Sequence, residues 1–140
     1  MVVEAKELRY AVDLGESGSL RAEDGTPLEP EPSWTPEHLL LAGLVRCSLK
    51  SLHYHARRAG LEVTAARGSA RTLITRRESD GRYAMLETGV ELDVRLEPQP
   101  GQDELAELLA KAERDCFVGA SLAVKPDYRW TVDGVAREPK

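Results

Sequence analysis

Alternation of apolar and polar residues from Val2 to Val12 predicts a strand. Gly15-Glu16-Ser17-Gly18 predicts a turn, Ser19 to Glu23 a return strand, and Asp24-Gly25 a hairpin turn into Thr26 to Leu28. Pro27 to Pro32 holds three prolines and two glutamates, and the missing amide donors predict an extended connector. The period then changes. Thr35-Pro36 predicts a helix start, with Thr as N-cap, Pro at the first helical position and Glu37 at the positive end of the dipole. The helix should run to about Ala59 and stop at Gly60. Its first half is apolar on nearly every side, which predicts burial all round; Lys50 to Arg58 is amphipathic and should surface.

Leu61 to Arg77 and Arg82 to Leu96 read as two strands joined at Asp80-Gly81, with Gly89 marking a bulge. Pro98-Gln99-Pro100-Gly101 ends the second. An amphipathic helix begins at Asp103, with Leu105, Leu108, Leu109 and Ala112 on one face. A short apolar segment, Cys116 to Leu122, precedes a final strand in which Tyr128, Trp130 and Val132 alternate with polar residues, closed by Asp133-Gly134. The order βββ-α-ββ-α-β predicts an α+β fold with antiparallel sheets around a long buried helix. One small sheet covers only one side of such a helix. A second copy of the chain would cover the rest, so a homodimer is expected.

The 140 residues suit one domain, with no internal repeat. A net charge of −5 argues against a nucleic-acid partner. The cluster Arg67, Arg71, Arg76, Arg77 and Arg82 has acids close by and reads as solvated surface. The longest strongly apolar run, Leu39 to Val45, falls far short of the ~20 residues that cross a bilayer. With no secretory leader evident, a cytoplasmic protein without a membrane partner is expected.

Cys47 and Cys116 are the only cysteines. A paired thiol in a reducing compartment is more often transient and catalytic than structural. If the fold joins these two, one can be a nucleophile and the other its resolving partner; if not, both are small buried hydrophobes. His53 and His55, two residues apart, do not form a zinc-ligand spacing with Cys47, and neither a metal nor a cofactor is expected. Tyr54, seven residues after Cys47, is expected to pack in the core.

Pro36-Glu37-His38-Leu39-Leu40-Leu41-Ala42-Gly43, followed by Cys47 ten residues after the glutamate, resembles the Pro-Glu-x-Leu-Leu-Ala-Ala-x segment of the OsmC/Ohr family of cysteine-based peroxidases. Cys116-Phe117-Val118-Gly119-Ala120-Ser121-Leu122 is similar to that family's Cys-Pro-x-Ser-x-Ala-Leu segment, with Phe117 in place of proline and Gly119 in place of serine. Leu20-Arg21-Ala22-Glu23-Asp24-Gly25 resembles its Gly-Arg-x-x-x-x-Asp-Gly turn. The resemblance spans nearly the whole chain and implies a single OsmC-like domain over residues 1–140 in an intertwined dimer.

It also implies a thiol-dependent hydroperoxide reductase. Cys47 would attack the peroxide, Cys116 would resolve the sulfenic acid to a disulfide, and an external thiol, a dithiol or a thioredoxin-like protein, would reduce it. Arg21 would stabilise the Cys47 thiolate, and Glu37 would orient Arg21. A free thiol of pKa ~8.5 is only a few per cent ionised at neutral pH, and a mid-helix cysteine lies beyond reach of the helix N-terminus, so a cation is needed. Arg46 adjoins Cys47 but points ~100° away around the helix and reads as surface charge. Glu37 and Cys47 are separated by ~15 Å along a straight helix. Either Gly43 breaks the helix or a partner subunit supplies Glu37, and the second is favoured. The rival reading is a non-catalytic protein of the same fold, binding a small apolar ligand or sensing redox state.

Overall fold

The computed structural model describes residues 5–137. The chain forms two compact units, divided after Pro36. In the N-terminal unit β1 (Val12–Leu14), β2 (Leu20–Ala22) and β3 (Pro27–Leu28) form an antiparallel meander in that order. Gly18 and Gly25, both at φ 89°, turn the chain between strands. Asp24 Oδ1 accepts the Thr26 amide at 2.9 Å and fixes the second turn. The expected strand from Val2 to Val12 is replaced by a shorter one that starts where the expectation ended. Residues 5–11 have no ladder to join, since β2 is only three residues long, and residues 2–4 lie outside the described residues. Leu8, Tyr10, Val12 and Leu14, spaced by two, are 57–73% exposed.

The second unit opens with Glu37, the second residue of α1 (Pro36–Arg58), a helix unbroken through Gly43. Its end follows from Gly60, at φ 78°: the Leu61 amide bonds Ala56 O at 2.8 Å and the Gly60 amide bonds Arg57 O at 3.1 Å. These two bonds cap orphan carbonyls, and Leu61 packs as a buried residue beyond the turn. Contrary to the expected burial all round, Leu39 to Gly43 are only half-buried within one chain, and Leu44 is the sole buried residue before Ser48. One sheet leaves the far side of the helix uncovered.

β4 (Glu62–Arg76) and β5 (Tyr83–Glu97) form a long antiparallel hairpin closed at Asp80-Gly81. Its register shifts fall at Val63/Ala65 and Leu73/Ile74, whereas Gly89 pairs regularly with Arg71. No bulge forms there; a Cβ would lie 2.9 Å from the guanidinium carbon of Arg71, the far end of an exposed side chain that can move aside. α2 (Gln102–Arg114) buries Leu105, Leu108, Leu109 and Ala112, the expected face. After α3 (Phe117–Ala120), β6 (Asp127–Val132) runs parallel to β5, and Asp133-Gly134 turns it into an additional strand, β7 (Val135–Arg137). The sheet order is β4-β5-β6-β7. The α+β class holds, but the sheet is mixed rather than purely antiparallel. The α2–α3 crossover returns the chain to the end of the sheet from which β5 started.

Val90, Leu92, Val94 and Leu96 of β5, and Tyr128, Trp130 and Val132 of β6, alternate into one core with Leu44, Leu52 and Ala56 of α1 and the buried face of α2. Trp130 Nε1 donates to Glu113 of α2 at 2.9 Å, which pins that helix to the sheet.

Candidate active site

The buried residues of α1 are Leu44, Ser48, Ser51, Leu52 and Ala56, a stripe at helical spacing that faces the core. Cys47 flanks this stripe and is half-buried. The chain leaves α2 at Asp115, and Cys116 takes extended geometry, φ −75° and ψ 105°, as the residue that caps α3. Its Sγ accepts the Gly119 amide at 3.5 Å. The preceding amide, Val118 N, donates to Cys47 Sγ, also at 3.5 Å. Two consecutive amides of one turn thus hold the two sulfurs side by side, 69 positions apart in sequence. Both thiols are free.

Their surroundings differ. Cys116 is fully buried, with Ser48 Oγ 3.5 Å from its sulfur. Ser48 Oγ also lies 3.1 Å from Tyr128 Oη and donates to the Leu44 carbonyl at 2.9 Å. Burial pushes the Cys47 thiol up, against the Val118 amide, and the neighbouring Cys116 pushes it further. Burial also acts upward on Cys116 and is the largest single influence, but Ser48, the Gly119 amide, Cys47 and Tyr128 together outweigh it, and its pKa falls. Tyr128 is raised by burial foremost, so its phenol keeps its proton. All of these groups come from α1, α3 and β6.

A second contact fastens the same junction. His55 Nε2 and Asp115 Oδ2 lie 2.8 Å apart, tying the residue before Cys116 to α1. The Arg114 guanidinium, and then His55, hold the Asp115 carboxyl down at about 2.

Cys47 and Cys116 are therefore brought together. Glu37 is exposed in the first turn of α1, and because the helix is unbroken it stays ~15 Å along the axis from Cys47. The alternative of a break at Gly43 is overturned. Arg21 belongs to the N-terminal unit, where its Nη1 donates to the Gly25 carbonyl at 3.0 Å. Arg46 is exposed, as expected for surface charge. Tyr54 is 57% exposed instead of packing in the core, with the Arg58 guanidinium 5.6 Å from its ring centre. It sits two residues beyond Leu52, well round the helix from the buried stripe. Among the described residues no three His, Cys, Asp or Glu side chains converge to hold a metal ion. Nor is any helix there long and apolar enough to cross a membrane.

Ser48 and Tyr128 escaped the sequence reading as site residues. The available signal was a serine four residues after Leu44, within the apolar stripe of the helix, since a buried hydroxyl needs a partner. Gly119 is explained by the same network: a Cβ there would lie 3.0 Å from Tyr128 Oη and 3.5 Å from Cys116 Sγ.

The profile of the family described as OsmC-like protein matches residues 29–131. A comparison with curated protein sequences finds no significant match. Among solved structures, an OsmC-like protein from Mycoplasma pneumoniae superposes with a TM-score of 0.68 at 16% identity, covering 92% of this chain and 99% of that one. The organic hydroperoxide resistance protein OhrB of Bacillus subtilis gives 0.53 at 20% identity, over 89% and 96%. One from Elizabethkingia anophelis, with thiocyanate bound, gives 0.59 at 19% identity, over 94% and 98%.

Proposed function

The chain belongs to the OsmC-like family, and from that premise we propose that it is a homodimeric, thiol-dependent hydroperoxide reductase. One observation carries the reading: two free thiols, far apart in sequence, meet on consecutive amides of α3. The organic hydroperoxide resistance proteins among its structural relatives support the substrate class.

The cycle has three steps. The Cys47 sulfur, the more accessible of the two, attacks a peroxide oxygen; the O–O bond breaks, an alcohol leaves and Cys47 becomes a sulfenic acid. Cys116 then displaces hydroxide from Cys47, forming the disulfide and releasing water once the hydroxide is protonated. An external dithiol or a thioredoxin-like protein reduces the bridge by thiol–disulfide exchange.

Within its own unit Cys47 is pushed up, so the first step needs a cation. Arg21 fills that role. A guanidinium ~4 Å from the sulfur is worth up to about 4 kcal/mol at an effective dielectric of 20, and a third of that lowers a pKa by about one unit. Glu37 orients the guanidinium as a bidentate partner. Since α1 keeps Glu37 and Cys47 of one chain apart, the second copy supplies Glu37. The exposed apolar row Leu8, Tyr10, Val12 and Leu14, with the half-buried start of α1, supplies surface for that copy. Such a cycle suits a reducing cytosol, where a thiol donor is available.

The test is a thiol titration before and after one equivalent of cumene hydroperoxide, with mass spectrometry for a Cys47–Cys116 bridge. Rapid loss of both thiols is expected. Loss of one would indicate a sensor, and loss of none would end the proposal. Cys47→Ser should abolish turnover, and Cys116→Ser should stall after one.

A further inference from the structure

The contacts that hold Cys116 beside Cys47 differ in whether they outlast the chemistry. The polar links from α1 to the segment between Asp115 and Leu122 are of two kinds. The Val118 amide donates to Cys47 Sγ, and Ser48 Oγ meets Cys116 Sγ, both at 3.5 Å. These end on the sulfurs that react, so they change once Cys47 carries an oxygen or a second sulfur. His55 Nε2 meets Asp115 Oδ2 at 2.8 Å. That link ends on no sulfur, and it does not depend on the oxidation state of the pair.

It is also placed to set a direction. Asp115 and Cys116 are adjacent, yet one side chain reaches His55 and the other reaches Ser48, seven residues away, or ~10 Å along the helix axis. A backbone held at two separated points of α1 cannot pivot; held at one, it can. Val118 and Leu122 pack against the core, but apolar contacts are non-directional. The Arg114 guanidinium pairs with both Asp115 oxygens at 2.9 Å, but Arg114 ends α2 and gives no tie to α1. It offsets the carboxylate charge, so the imidazole can donate from Nε2 as a neutral ring or as a cation. The His55 side chain is 10% exposed, which shields the bond from water on the α1 side.

We propose that His55, acting through Asp115, is a positioning residue that keeps Cys116 aimed at Cys47 while Cys47 is oxidised. The inference rests on the peroxidase reading for its place in the cycle. There the Cys116 sulfur supplies the electron pair of the new S–S bond and the S–O bond of Cys47 breaks. The departing oxygen leaves as water, carrying the proton of the Cys116 thiol. The same line of approach serves any leaving group on Cys47, so the geometry can be tested without peroxide.

The reduced full chain is mixed with dithiobis(nitrobenzoate) in a stopped-flow spectrometer, which reads each thionitrobenzoate released. Cys47 attacks the reagent in a first phase and releases one. Cys116, fully buried, then attacks the mixed disulfide on Cys47, releases another and closes the bridge. His55→Ala should slow the second phase about threefold to fivefold, the worth of a part-exposed hydrogen-bonded pair, and leave the first phase unchanged. Asp115→Ala, at a more exposed position, should do the same, and the double variant should do no more. His55→Gln carries an amide nitrogen as many bonds from Cβ as Nε2. It should restore most of the rate, which a mere loss of packing would not explain. The proposal is overturned by a second phase that is absent, by one that neither alanine variant slows, by equal slowing of both phases, or by no recovery with His55→Gln. A chain that releases thionitrobenzoate in two phases as expected but does not consume cumene hydroperoxide would end the peroxidase reading and leave this result standing.

Discussion

The two units of the chain treat similar residues in opposite ways. In the N-terminal unit Leu8, Tyr10, Val12, Leu14, Leu28 and Trp34 are all about half exposed or more. In the C-terminal unit Leu44, Leu52, Val90, Val94 and Leu96 are all but sealed from solvent. Composition does not separate them; supply of covering surface does. The second unit has two amphipathic helices to lay on its sheet. Among the described residues the first has three strands of two or three residues and no complete helix. The second copy proposed above would cover that apolar surface and bring the carboxylate that the proposed site needs.

Substituting both Val12 and Leu14 by Asp tests the incomplete unit most severely. Loss of two apolar anchors should weaken self-association by two to four powers of ten, at about 1.5–3 kcal/mol per side chain. Light scattering against concentration measures it; unchanged mass would show that this row covers nothing. In the complete unit Leu52→Ala should cost about 3 kcal/mol of unfolding free energy by urea titration, because the side chain is fully buried. Leu28→Ala, at 55% exposure, should cost under about 0.5 kcal/mol if the row is free and several times that, with a concentration dependence, if a second copy covers it.

Next in size is the contrast between two arginines. Arg21→Ala in the N-terminal unit should lower kcat/KM for cumene hydroperoxide by about tenfold or more, while Arg46→Ala should change it less than about twofold. Equal effects would remove Arg21 from the site.

The smallest effect concerns acid. The Asp115 carboxyl is depressed in the folded state, to about 2. Its contribution is therefore complete above the unfolded pKa near 4 and is lost as pH falls from ~4 toward ~2. More than a third of that side chain is exposed, so screening keeps the loss under about 1 kcal/mol. Asp115→Asn should flatten the stability profile in that window in denaturation at graded pH.

Local signals were the legible ones. Thr35-Pro36 and Gly60 bounded α1 within a residue or two, because caps act on neighbouring backbone groups. The spacing of Leu105, Leu108, Leu109 and Ala112 displayed the buried face of α2 directly. Features that depend on distant partners were not legible. The parallel pairing of β5 with β6 needs the crossover to be placed first. Strand β1 is short because β2 offers only three residues to pair with. The meeting of Cys47 with Cys116 came only through a resemblance, and Ser48 and Tyr128 stayed hidden, since neither belongs to a local motif and their hydroxyls meet only after β6 docks under α1.

The unbroken run of α1 from Pro36 to Arg58 also speaks to inheritance. If each site takes its thiols from one chain and its carboxylate from the other, Cys47→Ser and Glu37→Gln are defects that can rescue each other. A cell carrying both alleles would assemble mixed pairs in which one of the two sites has every part intact. Such intragenic complementation is absent when all parts of a site lie on one polypeptide, so a plate of colonies grown under peroxide would report the geometry of a helix.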